Sequence, residues 1–264
     1  MNVADYKHIA FKRRARILEV ILNRPDKYNA VDAALHTELA RVFTDAANDP
    51  ESDIIVLTGA GKAFSAGGDV NHMQRSIDDP ELWPKMVIEG KQIIFALLDC
   101  EKPIIAKVNG HATGLGATLA LFCDVVFASE TAKIGDPHVG VGLVAGDGGA
   151  IIWPQLIGYS RAKEYLMTGQ LMSATEAERI GLINHVVPPD QLEAKVDAFA
   201  DRLAAGAPQA IRWTKVAVNI GLKQLAHSIM DAAISYEWLS ARSSDHREAV
   251  AAFLEKRAPK YTGR

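Results

Sequence analysis

Two short runs of small residues carry the first chemical signal in this chain. They are Phe64-Ser65-Ala66-Gly67-Gly68-Asp69 and Asn109-Gly110-His111-Ala112-Thr113-Gly114-Leu115-Gly116-Ala117-Thr118. Each follows an apolar, strand-like stretch. Glycine permits both positive φ angles and the close approach of bare backbone N–H groups to one ligand atom. Paired amide donors of this kind stabilise an enolate or a thioester oxyanion, often the largest catalytic term a site supplies. A proton carrier is the second requirement, and His138, in Gly135-Asp136-Pro137-His138, has an unperturbed pKa near neutrality. The plainer readings are a pair of tight turns and a histidine packed for structure.

Those residues need a frame. Residues 8–22 read as two strands joined at the basic turn Arg13-Arg14, and residues 23–27 as a loop. Asp32 can cap a helix whose Leu35, Leu39, Val42, Phe43 and Ala46 form one apolar stripe. A short buried strand at 54–57 ends at Gly59-Ala60-Gly61. Helix is expected over 81–98, with Pro84 in its first turn where proline is tolerated. A strand at 104–108, a small-residue helix at 115–122 and a strand at 125–127 follow. Strands alternating with helices predict an α/β fold with mostly parallel strands. The alternation stops near residue 190. From there to 257 the chain is rich in Ala, Leu, Lys and Glu, broken at Gly206-Ala207-Pro208 and near Ser243-Ser244-Asp245. The expected division is a core over 1–190 and a helical C-terminal subdomain over 191–264.

The whole chain sets limits. Its 264 residues suffice for one large core or a core with a small appendage. A net charge of -3 offers no general attraction to nucleic acid or an anionic membrane, and no aromatic-basic stripe suits RNA. No run reaches the ~18 apolar residues of a membrane span, and no secretory-type stretch is visible at the N-terminus. Cys100 and Cys123 are too few for a disulfide framework, which predicts reduced thiols and a cytoplasmic location. Gly140-Val141-Gly142-Leu143-Val144-Ala145 fits a dinucleotide-binding pattern, but no convincing strand precedes it. The histidines, His8, His36 and His72 among them, show no metal-ligand spacing.

The order Phe-Ser-Ala-Gly-Gly-Asp, then Lys102-Pro103-Ile104-Ile105-Ala106 leading into Asn109-Gly110, resembles the crotonase (enoyl-CoA hydratase/isomerase) superfamily nearly end to end. The resemblance implies a spiral core of repeated ββα units, and a helical region that helps build trimers or dimers of trimers. It implies an acyl-CoA thioester as substrate, with coenzyme A entering as part of that substrate and no metal or redox cofactor. It places the two oxyanion donors on the backbone N–H groups of Gly68 and Leu115, where leucine replaces the family's usual glycine. Lys27, Ala30, Ala66 and Asp69 would line the CoA groove. Phe253 and Lys256, in Ala252-Phe253-Leu254-Glu255-Lys256-Arg257, would reach a CoA held by a neighbouring subunit.

Both glutamates of the family's hydratases are missing. Thr118 stands at the first position and His138 at the second. The carboxylate left in a loop that lines the acyl end in the family is Asp147, in Gly146-Asp147-Gly148-Gly149. Apolar neighbours would raise its pKa and make it a better base; capping a helix that starts near Ala150 is the alternative role. Asp136 is a weaker candidate, because Asp before Pro is a common turn element. One proton shuttle, with His138 as helper, suits double-bond isomerisation of an enoyl-CoA better than two-glutamate hydration. Hydration of a 2-enoyl-CoA, thioester hydrolysis, and a non-catalytic acyl-CoA- or RNA-binding member are the alternatives. Leu115, Phe122, Trp83, Met86 and Trp153 are candidates to shape the acyl pocket, or else plain core.

Overall fold

A hairpin opens the chain, β1 (Ile9–Arg14) pairing antiparallel with β2 (Ile17–Leu22). The computed structural model describes residues 3–264, so the first two residues of the 1–190 unit lie outside the described residues. The turn falls at Ala15-Arg16, just after the predicted Arg13-Arg14, because both of those arginines still pair, opposite Leu18 and Ile17. Asp32 caps α1 (Ala33–Ala47) by accepting the Leu35 N–H, and the predicted apolar stripe is buried. Next come β3 (Ile54–Gly59), β4 (Ala63–Ser65), α2 (Val70–Asp78) and α3 (Trp83–Asp99), with Pro84 in the first turn of α3. Then follow β5 (Ile104–Val108), β6 (His111–Thr113), α4 (Leu115–Leu121), β7 (Val125–Ser129), β8 (Lys133–Gly135) and α5 (Gly149–Thr168). The chain ends with β9 (Met172–Ser173), α6 (Ala174–Arg179), β10 (His185–Val187), α7 (Leu192–Ala204), α8 (Pro208–Ala241) and α9 (Ser244–Leu254).

The strands sort into two sheets, in the orders β1-β2-β3-β5-β7-β10 and β4-β6-β8-β9. Beyond the opening hairpin the larger sheet is parallel throughout. Each of β3, β5 and β7 leaves the larger sheet and is followed by one short strand of the smaller: β4, β6 and β8. This repeat positions the site. Because β4 and β6 pair in parallel, the turns that leave them emerge side by side.

One face of the larger sheet packs on α1 and α3, with Phe43, Leu39, Ile93 and Leu97 fully buried. Each such side chain contributes roughly 1.5–3 kcal/mol of hydrophobic stabilisation. The other face is covered by α7, whose Leu192, Val196 and Ala200 meet Ile54, Val56, Ile105 and Phe127. Ala226, Met230 and Ile234 carry α8 into the main core. Lys102 is buried and serves packing: its Nζ donates to the carbonyls of Ala46 (2.8 Å) and Asp49 (2.6 Å), tying the end of α1 to β5. Cys100 and Cys123 are free and buried. No helix of the described residues is long and apolar enough to cross a membrane.

Candidate active site

The two glycine turns touch. Gly67 has φ 80°, and a Cβ there would lie 2.6 Å from the Thr113 carbonyl. A Cβ at Gly116 would lie 2.7 Å from Ser65, so neither position admits a side chain without displacing the other turn. Val31 fixes the first turn from the opposite side, donating to the Gly67 carbonyl (2.7 Å) and accepting from Asp69 N (3.0 Å). Among the described residues, neither the Gly68 N–H nor the Leu115 N–H makes a hydrogen bond. Both residues line one small cavity of about 80 Å³. Two free amides on one pocket wall are the donors an oxyanion requires.

The proton-carrying groups converge on the same cavity. His138 Nδ1 bonds Asp136 Oδ1, and His138 Nε2 faces Asp147 Oδ2 at 3.5 Å. Thr118 donates to the other oxygen of Asp147 at 3.2 Å. Burial alone would push His138 down, but the Asp136 and Asp147 carboxylates outweigh it and hold the ring well above its ordinary value. The charged form of the ring is thereby favoured, with Nδ1 bonded to Asp136 and Nε2 at ion-pair distance from Asp147. One ligand-type atom from each of Asp136, His138 and Asp147 lies within 4.8 Å of the others. Burial raises Asp147, against the pull of the imidazolium, which makes it the stronger base. Glu237 of α8 lines the same cavity, and burial beside Asp147 pushes it up to about 8. It is thus protonated at neutral pH.

The glycines around Asp147 explain this crowding. A Cβ at Gly149 would lie 2.2 Å from Asp136 Oδ2, and one at Gly146 would lie 2.3 Å from the Ala233 carbonyl of α8. Bare backbone lets Asp136 and α8 close in on Asp147 from two sides. Gly148, not Asp147, stands at the N-cap of α5. Asp136 is more than a turn residue: it is almost fully buried and anchors His138.

A larger cavity of about 520 Å³ adjoins the small one, sharing Gly68, Asp69, Met73 and His138 with it. Lys27, Ala30, Ala66, Asp69 and Phe253 line it. Asn29 holds the Lys27–Ala30 loop in place, its amide donating to the Ala60 and Ala63 carbonyls, both at 2.9 Å. The Asp69 carboxylate caps α2 and faces Arg24 at 3.4 Å. Burial would raise it, but the Asn71 N–H and Arg24 hold it below the usual carboxylate range. Phe253 borders the cavity of its own chain, because α9 packs beside α2 and the Val141 turn, where His246 Nδ1 bonds the Val141 carbonyl at 2.7 Å. The resemblance directs that ring to a neighbouring subunit. Lys256 lies outside the cavity lining, beyond the end of α9. Trp83, Met86 and Leu115 line the small cavity, while Trp153 is buried in the main core.

A repeating ββα core with an amide-lined pocket defines a class, and comparison with known proteins agrees. The family model for enoyl-CoA hydratase/isomerase matches residues 12–264, and the chain belongs to that family. Crotonyl-CoA hydratase of Syntrophomonas wolfei is 35% identical over 96% of this chain and 96% of its own. The 1,2-epoxyphenylacetyl-CoA isomerase of Escherichia coli is 33% identical over 94% of this chain and 95% of its own. The crystal structure of an enoyl-CoA hydratase/isomerase from Mycobacterium paratuberculosis superimposes with a TM-score of 0.90 at 39% identity. That match covers 94% of this chain and 99% of the other. The protein is an enzyme of this family, and the fold is that of the crotonases.

Sequence reading assigns no site role to four polar residues of the small cavity, Glu237, His72, His36 and Ser76. None carries a local signal: no motif or spacing distinguishes these residues from other polar positions on their helices.

Proposed function

We propose that the enzyme isomerises the double bond of an enoyl-CoA. The observation that carries this reading is Asp147 beside His138 in the cavity that the unbonded Gly68 and Leu115 amides line. The thioester oxygen of a 3-enoyl-CoA accepts from the two amides. The Asp147 carboxylate removes a proton from C2, and the electron pair enters the thioester carbonyl as a dienolate. The pair then returns to form the C2–C3 double bond while Asp147 delivers the proton to C4. His138, held by Asp136, keeps the Asp147 carboxylate oriented. Thr118 has no useful basicity near neutral pH and serves as a hydrogen-bond donor to Asp147.

Coenzyme A enters as part of the substrate, its pantetheine and phosphates in the larger cavity, where Lys27 is the phosphate candidate. Lys256, outside the lining of its own chain's cavity, is the second phosphate candidate, acting on a CoA held by a neighbouring subunit. We also infer a homo-oligomer, a trimer or a dimer of trimers, acting in the cytoplasm. The exposed Trp213, Val216 and Ile220 support self-association, since they lie at helical spacing along one outer stripe of α8.

Hydration is the second reading, and Glu237 favours it. A second carboxyl on the cavity that Asp147 lines, raised to about 8, would supply the acid beside Asp147 as base that addition of water to a 2-enoyl-CoA needs. Product analysis by mass spectrometry separates the two. Turnover of 3-enoyl-CoA to 2-enoyl-CoA at unchanged mass is expected. Gain of one water by 2-enoyl-CoA, without turnover of the 3-enoyl substrate, would replace isomerisation with hydration.

A further inference from the structure

The small cavity has a mixed lining. Trp83, Met86, Leu115 and Leu143 are its apolar members; His72 and Ser76 of α2 and His36 of α1 are among its polar ones. Two of these polar groups are satisfied. His36 Nδ1 pairs with Glu89 Oε2 at 2.8 Å, and Ser76 donates to the His72 carbonyl at 3.0 Å. His72 is not. Its side chain is 5% exposed, and neither ring nitrogen has a hydrogen-bond partner. A buried polar group left unpaired costs about 1–3 kcal/mol, so such a group calls for a partner that arrives with the ligand.

Resting on the reading of this cavity as the acyl pocket, we propose that His72 recognises an uncharged polar substituent, a hydroxyl or carbonyl, on the acyl group. The imidazole offers one N–H donor and one acceptor nitrogen, a match for either group. Rotation about χ2, which is broad for histidine, presents a nitrogen to the cavity. A plain hydrocarbon chain would leave both nitrogens unpaired in a dry pocket. A carboxylate is disfavoured, because the Asp69 and Asp147 carboxylates line the same cavity, His138 is already engaged by Asp136 and Asp147, and Arg24 is shared between Asp32 and Asp69. Burial also depresses His72, with Arg75 and His36 adding to the effect, so the ring is neutral at physiological pH and carries no charge to attract an anion.

The test is calorimetric binding of saturated, unreactive acyl-CoA thioesters of equal chain length. They carry a terminal methyl, hydroxyl, methyl ketone or carboxylate, and are measured on wild type, His72→Leu and His72→Gln. Wild type is expected to bind the hydroxyl or ketone ligand about tenfold more tightly than the methyl ligand, one hydrogen bond's worth. His72→Leu should abolish that preference with affinity for free coenzyme A unchanged, and His72→Gln should keep part of it. Equal affinities in wild type, tightest binding of the carboxylate ligand, or a preference that survives in His72→Leu would each overturn the proposal. The wild-type comparison decides even if a variant fails to fold. The ligands are not turned over, so the outcome is independent of whether the enzyme isomerises or hydrates.

Discussion

At the residue scale, the site is a set of acids whose charges are managed by burial and by one imidazole. Glu237 gives a direct check. Its folded value of about 8 lies above the ordinary 4.5, because burial and Asp147 disfavour the charged form. Between those values the folded chain keeps a proton that the unfolded chain releases. Stability from this group is therefore full below about pH 4.5 and is lost as pH rises toward about 8. Thermal unfolding across that range should show wild type losing Tm more steeply than Glu237→Gln; parallel curves would contradict the assignment. Asp147 and His138 could be found in the sequence because they stand at motif positions. Asp136 is only a weaker candidate there, since only the folded chain shows its carboxylate turned back onto the imidazole two residues on. Glu237 and His72 reach the pocket through tertiary packing that no local pattern encodes.

At the scale of elements, the Gly68 and Leu115 amides come to one cavity because two turns cross at contact distance. Gly116→Ala should force α4 away from Ser65 and cost about 1–3 kcal/mol, the usual range for overpacking. Turnover should fall more than tenfold, because the Leu115 amide moves with it. Gly221→Ala is the contrast: nothing lies within 4 Å of its Cβ position on α8, so a gain of about 0.5–1 kcal/mol is expected. Urea denaturation of both variants checks the pair; equal effects would argue against the crossing. The longer strands and most helices were legible, since apolar runs and a cap such as Asp32 are local signals. The short strands β4, β6, β8, β9 and β10 were not. Each spans only two or three residues, too few to show a period.

At the scale of the molecule, the parallel sheet stacks its repeats so that the turns after β4 and β6 meet, while the loop before α5 brings Asp147 and α8 brings Glu237 to the same cavity. The C-terminal helices were legible as helices but not as walls of the pocket, because Glu237 and the core residues of α8 share one long helix with exposed apolar residues. Those outer residues argue for self-association. Analytical ultracentrifugation should give a mass of three or six times 28.6 kDa. Trp213→Asp should shift the distribution toward smaller species. A wild-type monomer at micromolar concentration would contradict the oligomer.

The central claim is that Asp147 removes a proton from the carbon next to a thioester whose oxygen is held by the Gly68 and Leu115 amides. Proton NMR of a 3-enoyl-CoA in deuterated water measures this directly, wild type beside Asp147→Asn. Wild type should exchange the C2 protons for deuterium as the double bond moves. Asp147→Asn should slow both by about 100- to 10,000-fold with acyl-CoA affinity retained. Exchange that continues undiminished in Asp147→Asn, or a double bond that moves without exchange at C2 in wild type, would contradict the account.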